Sequence, residues 1–398
     1  MSIKRVYSVL TVATVLAVAL VGQAPAQSID DVAGVVSNGN SITIHGSGFG
    51  DRDHQQPYCW EDFEGASCQL DTTANNVGLY QGRLSQLQAY SGNQSIELRH
   101  GDPDIETESP AERQGWAYYR FPRELQGGDE IFMMFWERWS WGCWWCDDPE
   151  NSQWEGPATQ SYQIKNWRVS SGSHYVTPPD IVHTAQSDCN DWGTPEFTPR
   201  YLCTDINVTT WYSRVFADGN GGYEHTLPHH TWILWEVMIR QSSPGVNDGA
   251  NIVWIARNGK SARIVNETNA TTHQPGQPGF NKVSLGDWID SFGRSTTQYY
   301  DDFYFDMGWQ RVVIGDRPTW DACTVRDIQP YTTWTDDTIV VTVNTPSFQD
   351  GQQGYLYYVG PNGSPADMEP VTITAGGGGD DDGPPGAPSP VVMTPNGP

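Results

Sequence analysis

The stretch Thr231-Trp-Ile-Leu-Trp-Glu-Val-Met-Ile-Arg-Gln241 alternates with a period of two. Ile233, Trp235, Val237 and Ile239 share one face, which belongs against a dry interior. Trp232, Glu236 and Arg240 fall on the other. Ten residues on, Ile252-Val-Trp-Ile-Ala256 and Ala262-Arg-Ile-Val265 flank Asn258-Gly259, a strong signal for a type I′ hairpin. Further strand-like runs lie at 94–100, 116–121, 129–140, 160–170, 209–217 and, with a break, 298–315.

Composition agrees with this reading. The chain has 18 Trp, 18 Tyr and 12 Phe to form strands, and 41 Gly and 27 Pro to punctuate them. Long segments with a 3.6-residue apolar period are missing, so the expected fold class is all-β. Lys and Arg total 22 against 48 Asp and Glu, a net charge of −26. Such a surface repels nucleic acid and anionic lipid, which argues against both as partners. It leaves glycans open, and an anionic glycan then needs local basic residues to line its groove.

The N-terminus reads as a secretory signal peptide over 1–26. Lys4 and Arg5 precede the apolar run from Val9 to Val21, and Ala24-Pro25-Ala26 supplies a small-x-small cleavage site. No other stretch is long and apolar enough for a membrane span, so the mature chain is expected to be secreted, extracellular or at the cell surface, with the periplasm also open. Export makes disulfides the expected state of most of Cys59, Cys68, Cys143, Cys146, Cys189, Cys203 and Cys323, with one thiol left over. Cys189 and Cys203 close a modest loop. The Cys143-Trp-Trp-Cys146 spacing fits a tight bridge, a zinc half-site or a redox pair, but no second Cys-x-x-Cys completes a zinc site.

Residues 27–50 and 323–374 look like two parts of one small domain. The first holds Ser41-Ile-Thr-Ile-His45 and a glycine-rich bend. The second holds strand-like runs at 338–343, 354–359 and 370–374, separated by Asp350-Gly351 and Asn362-Gly363 turns. Neither part has enough strands to be stable alone. Together they resemble an IPT/TIG-type immunoglobulin-like domain, through Ser41-Ile-Thr-Ile-His-Gly-Ser-Gly-Phe-Gly50, Trp334-Thr-Asp-Asp-Thr-Ile-Val-Val-Thr-Val343 and Gly354-Tyr-Leu-Tyr-Tyr-Val359. On that resemblance 51–322 is an insertion in one of its loops. The Gly/Asp/Pro-rich tail, 375–398, cannot bury apolar surface and is expected to be disordered.

Several runs of the insert resemble the concanavalin A-like jelly rolls of secreted polysaccharide lyases and lectin-type modules. They are Asp129-Glu-Ile-Phe-Met-Met-Phe-Trp-Glu-Arg138, Tyr162-Gln-Ile-Lys-Asn-Trp-Arg168, Thr231-Trp-Ile-Leu-Trp-Glu236, Val246-Asn-Asp-Gly-Ala-Asn-Ile-Val-Trp254 and Tyr300-Asp-Asp-Phe-Tyr-Phe-Asp306. The resemblance implies a jelly-roll β-sandwich and, where its first and last strands meet, a structural calcium. Glu64 and Asp302 are the residues placed to hold such a hard cation.

Strand alternation nominates a ligand face. Gln163, Lys165 and Trp167 share one side of 160–170, with Asn166 and Arg168 on the other. Tyr212 and Arg214 share a side, as do Trp136 and Arg138. Trp136, Arg138, Trp167, Trp232, Glu236 and Arg240 are therefore the expected ligand-binding set: aromatic faces stack on sugar C–H surfaces and guanidinium pairs with carboxylate. The expected partner is an extracellular polysaccharide. A uronate lyase acting by β-elimination must neutralise the carboxylate and abstract the proton at C5, and Gln163, Lys165, Tyr212 and Arg214 are the candidates. Ser95-Ile-Glu-Leu-Arg99 and Gln163-Ile-Lys165 only approximate the Arg-x-Glu-Leu-Arg and Gln-Ile-His patterns of some alginate lyases. The Glu-x-Asp-x-x-Glu pattern of sandwich glucanases is absent. His100 and His229-His230 have no acid or nucleophile partner in sequence. Binding without turnover, lyase chemistry and a structural or adhesive role at the cell surface are the three readings carried forward.

Overall fold

The computed structural model describes residues 27–65, 70, 82–100, 117–141, 163–171, 180–186, 201–206, 209–212, 216–217, 223–224, 231–257, 259–273, 275–286, 289–290 and 296–374. Within them the protein is all-β, with a single short 3-10 turn at Trp320–Ala322. The leader at 1–26 and the tail at 375–398 lie outside the described residues. Among the described residues no helix is long and apolar enough to cross a membrane.

Two antiparallel sheets form the large jelly-roll sandwich. One has eight strands, in the order Lys260–Ala270, Gly249–Arg257, Ile233–Arg240, Glu130–Trp141, Thr296–Met307, Ser95–His100 and Arg83–Ser85, with Cys59–Glu61 pairing onto Thr296–Met307. The other has seven, in the order Thr209–Tyr212, Tyr201–Ile206, Asp180–Gln186, Gln163–Ser170, Lys282–Leu285 and Ala117–Arg120, with Ile289–Asp290 also on Gln163–Ser170. Ile131, Met133, Phe135, Ile233, Trp235, Val237 and Ile239 from the first sheet meet Trp167, Val169, Val283, Leu285 and Ala117 from the second in one core. The alternation read from 231–241 thus gives the interior face. The Arg257–Lys260 register pair closes the expected two-residue hairpin, with Gly259 at φ +72, where a Cβ is strained; Asn258 itself is outside the described residues.

A small second sandwich packs Ser28–Ala33, Ser41–Ser47, Thr338–Thr342 and Tyr331–Trp334 against Arg326–Ile328, Arg311–Gly315, Gln353–Val359 and Pro365–Thr372. Ile42, Ile44, Phe49, Ile314, Trp334, Ile339, Leu356 and Tyr358 fill its core. A Cβ at Gly46, near the end of Ser41–Ser47, would collide with the Ser28 carbonyl and the Phe49 ring, which is why that strand position needs glycine. The strand Arg311–Gly315 belongs to this sandwich through its pairing with Gln353–Val359. The sequence reading had placed 298–315 within the insert. The break at Gly308 (φ +91) redirects the chain from one sandwich into the other.

The outer face of the eight-stranded sheet is buried as well. Phe132, Met134, Trp136, Leu234, Ala256 and Tyr304 form a third apolar cluster with Trp309 and Ile328, which come from beyond the Gly308 bend. Burial on both faces explains why Ile131-Phe-Met-Met-Phe-Trp136 is a continuous apolar run instead of an alternating one. Glu236 is sealed in this interface, 3.4 Å from Arg311 and 2.8 Å from Arg326, with side-chain exposures of 5%, 1% and 2% respectively. The Arg326 guanidinium lies 3.3 Å from the Trp254 ring centroid and 4.0 Å from that of Trp320, and Arg311 lies 4.1 Å from that of Phe132.

Removing the carboxylate would strand two buried guanidiniums. Glu236→Ala is expected to lose about 3–5 kcal/mol in urea unfolding. Arg240→Ala breaks the partly exposed pair with Glu130 and should cost about 0–1 kcal/mol. Equal losses for the two variants would refute the interface as described.

Candidate functional site

The ligand set nominated from sequence does not come together. Trp136 is buried and stacks on Tyr90 at 3.6 Å between centroids, and Trp232 meets the same Tyr90 ring edge-on at 5.9 Å. Glu236 is locked between the two arginines. Arg240 donates from Nε to Glu130 at 2.9 Å and covers Trp309. Alternation puts Trp232, Glu236 and Arg240 on the face opposite the core, and that outer face packs against Trp309 and Ile328 at its centre. Arg138 is half-buried on the same sheet, where its register partner is Tyr299.

Trp167 is a second correction. It is fully buried in the main core. The simple alternation that grouped it with Gln163 and Lys165 fails because of an irregularity between Lys165 and Trp167: Lys165 pairs with Thr184 and Trp167 with His183, leaving Asn166 as an extra residue. Such a bulge flips every position before it to the other face. Positions 163 and 165 therefore share the register face of Arg168, away from the core. Tyr212 pairs with Leu202 in backbone register, while Arg214, Cys143, Cys146, Cys189 and His229-His230 lie outside the described residues.

The register of this sheet assembles a basic block that sequence inspection did not nominate. Lys282 pairs with Ser170 on one side and Arg120 on the other, and Ser284 pairs with Arg168 and Tyr118. Two adjacent rows, Arg120–Lys282–Ser170 and Tyr118–Ser284–Arg168, thus lie on the face opposite Trp167, Val169, Val283 and Leu285. Lys282 is only 4% exposed and Tyr118 3%, Arg168 is half-buried and Arg120 is exposed. The Lys282 ammonium lies 5.7 Å and the Arg120 guanidinium 5.8 Å from the Tyr118 ring centroid. Two cations thus flank the Tyr118 ring, and Arg168 stands in the adjacent row beyond Ser284. Of the block, Arg120 is the exposed cation, a group that pairs with carboxylates. The signal available in sequence was weak: Tyr118-Tyr-Arg120 and Asn281-Lys-Val-Ser-Leu285 are short and distant, and only pairing joins them.

Glu64 and Asp302, expected to hold calcium, do meet at one corner. Glu64 accepts from the Asn93 and Gln94 amides at 2.8 and 2.9 Å, and Asp302 accepts from the Ser91 hydroxyl at 2.9 Å. Neighbouring Asp301 accepts from the Tyr90 and Ser91 amides. Burial raises both Asp301 and Asp302, and each is raised further by nearby carboxylates. These carboxylates strap the 90–94 segment. Among the described residues no group of three or more His, Cys, Asp or Glu side chains is placed to hold a metal ion. Cys323 is a free, buried thiol whose pKa burial pushes up, with sulfur 3.5 Å from the Thr319 carbonyl.

No protein-family model matches the chain, and no curated protein does. Among solved structures it is similar to an endo-β-1,4-glucuronan lyase from the fungus Trichoderma reesei, at 14% identity over 63% of this chain and 95% of that one, with a TM-score of 0.39. It is also similar to alginate lyase Aly36B, at 12% identity over 69% and 98%, TM-score 0.33. A third is the catalytic domain of a GH131 β-glucanase from Podospora anserina, at 12% identity over 59% and 82%, TM-score 0.32.

Proposed function

We propose that the protein is an exported, carbohydrate-active protein that engages an acidic, uronate-containing polysaccharide on the outer face of its seven-stranded sheet. The observation that carries this reading is the basic block of Arg120, Arg168 and Lys282 around Tyr118 and Ser284, on a molecule of net charge −26. An acidic surface repels a polyanion at long range, so a polyanionic chain is held only where cations are concentrated. A neutral glucan would gain nothing from them. The opposite sheet offers no comparable face, because the small sandwich covers its central strands.

Turnover by β-elimination is a second reading, supported by one further feature. The bulge at Asn166 brings positions 163 and 165 onto the same register face as Arg168. Gln163 and Lys165 are of the residue types that neutralise a uronate carboxylate and take the C5 proton.

Two measurements test these readings. In pull-down and calorimetry with alginate, heparin and glucuronan, Lys282→Ala and Arg168→Ala should each weaken binding about tenfold, near the 1.4 kcal/mol of one charge-assisted hydrogen bond. Added salt should weaken wild-type binding further, and Arg240→Ala, on the covered face, should leave it unchanged. Unaltered affinity in both basic-block variants would remove the site. For turnover, ultraviolet absorbance of the unsaturated product should grow with wild type and be lost in Lys165→Ala. Binding with no such absorbance on any of the three polymers leaves a binding protein.

A further inference from the structure

The segment 51–58 crosses from the small sandwich to the large one, and two of its side chains, Arg52 and His54, reach a single buried carboxylate. Asp306, with no side-chain exposure, ends the strand Thr296–Met307. Its Oδ2 accepts from Arg52 Nη1, from the Tyr331 hydroxyl at 2.9 Å and from the Tyr304 hydroxyl at 3.2 Å. Its Oδ1 accepts from the Met307 amide and lies 2.9 Å from His54 Nε2. The other ring nitrogen of His54 lies 2.6 Å from Asp53 Oδ1. Tyr331 belongs to the small sandwich and Asp306 to the large one, so this knot spans the seam. Arg52 also stacks against Trp334, 4.5 Å from its ring centroid.

A neutral imidazole has one N–H and one lone pair, so it can donate to only one of two carboxylates and must turn the lone pair on the other. The imidazolium donates to both. Charge gives the same answer: Arg52 and His54 balance Asp53 and Asp306 only when His54 is protonated. The groups facing His54 are Asp53, Asp306, Arg52, Tyr58 and Tyr331. Two other carboxyls along the seam are set the same way. Asp327 accepts from the Ser347 hydroxyl and amide, and that hydroxyl pairs with the Tyr90 hydroxyl of the large sandwich. Asp302 of the large sandwich lies 3.4 Å from the Asn344 amide nitrogen of the small one. Asp301, Asp62 and Glu64 press on Asp302, and Asp302 and Asp316 on Asp327.

We infer that the seam between the two sandwiches is a pH-sensitive latch, clasped at mildly acidic pH by doubly bonded His54 and loosened on the alkaline side. The hydrogen bond to Asp306, with that to Asp53, raises His54 above its ordinary 6.5. Its contribution is therefore complete below that value and is lost as pH rises through the higher folded one. Burial pushes Asp327 from 3.8 up to about 8. A carboxyl favoured neutral in the folded state also loses stability as pH rises between those values. Alkalinisation thus removes a positive charge at His54 and adds negative charge at Asp327, both against the seam.

The test is an imidazole NMR titration and a thermal melt of the full chain, from about pH 5.5 to about pH 9. The His54 ring should titrate above 6.5, and Asp53→Asn, at an exposed position, should move that midpoint down. The wild-type melting midpoint should fall as pH rises, and His54→Gln should lie below wild type at acidic pH and converge with it at alkaline pH. A ring that titrates at or below 6.5 would overturn the latch. So would a His54→Gln melting curve displaced equally at every pH.

Discussion

Everything in this molecule is arranged by the double burial of one sheet. The eight-stranded sheet has Trp235 and its alternates against one sandwich partner and Phe132, Met134 and Leu234 against another. Its central strands therefore have no side to offer a ligand. The polar residue that alternation leaves on the second face, Glu236, is tolerated only because two guanidiniums reach it from the small sandwich. A lone carboxylate in that position would be severely penalised. A cluster of two cations and one anion keeps a net positive charge, and the Trp254, Trp320 and Phe132 rings face that excess. Burial, with the like charge of Arg326, lowers Arg311 to about 10.

The consequence for function is one of exclusion followed by concentration. With one sheet enclosed, the register of the other groups Arg120, Arg168 and Lys282 on its outer face. Lys282 stands directly between Arg120 and Ser170 in one row, and Ser284 between Tyr118 and Arg168 in the next. The small sandwich has no part in that face, and its role on the present geometry is to complete the opposite side.

Sequence alone revealed the strands, the interior face of 231–241 and the hairpin at 258–259, because those signals are local and have a fixed period. Three things were not legible. The bulge at Asn166 has no glycine or proline to announce it, and one inserted residue reversed the faces of Gln163 and Lys165 relative to Trp167. The transfer of Arg311–Gly315 to the small sandwich depends on its partners, which lie far along the chain. The burial of Trp136 and Glu236 under another unit cannot be seen from periodicity, which distinguishes two faces of a strand but not what covers each.

The two ionic clusters of the seam differ in kind, and that difference bears on how the seam behaves. Glu236 is held by arginines, whose charge persists across the whole accessible pH range even when burial lowers their pKa. Its contribution is a constant. Asp306 is held by one arginine, two tyrosines and a histidine, and only the histidine changes charge near neutrality. His54 also retains some exposure, 19% of its side chain, so protons reach it without prior unfolding. A permanent pair at the centre and a titrating group in the connecting segment give a junction that can slacken at its edge while the apolar cluster of Phe132, Trp309 and Ile328 keeps the two sandwiches in contact.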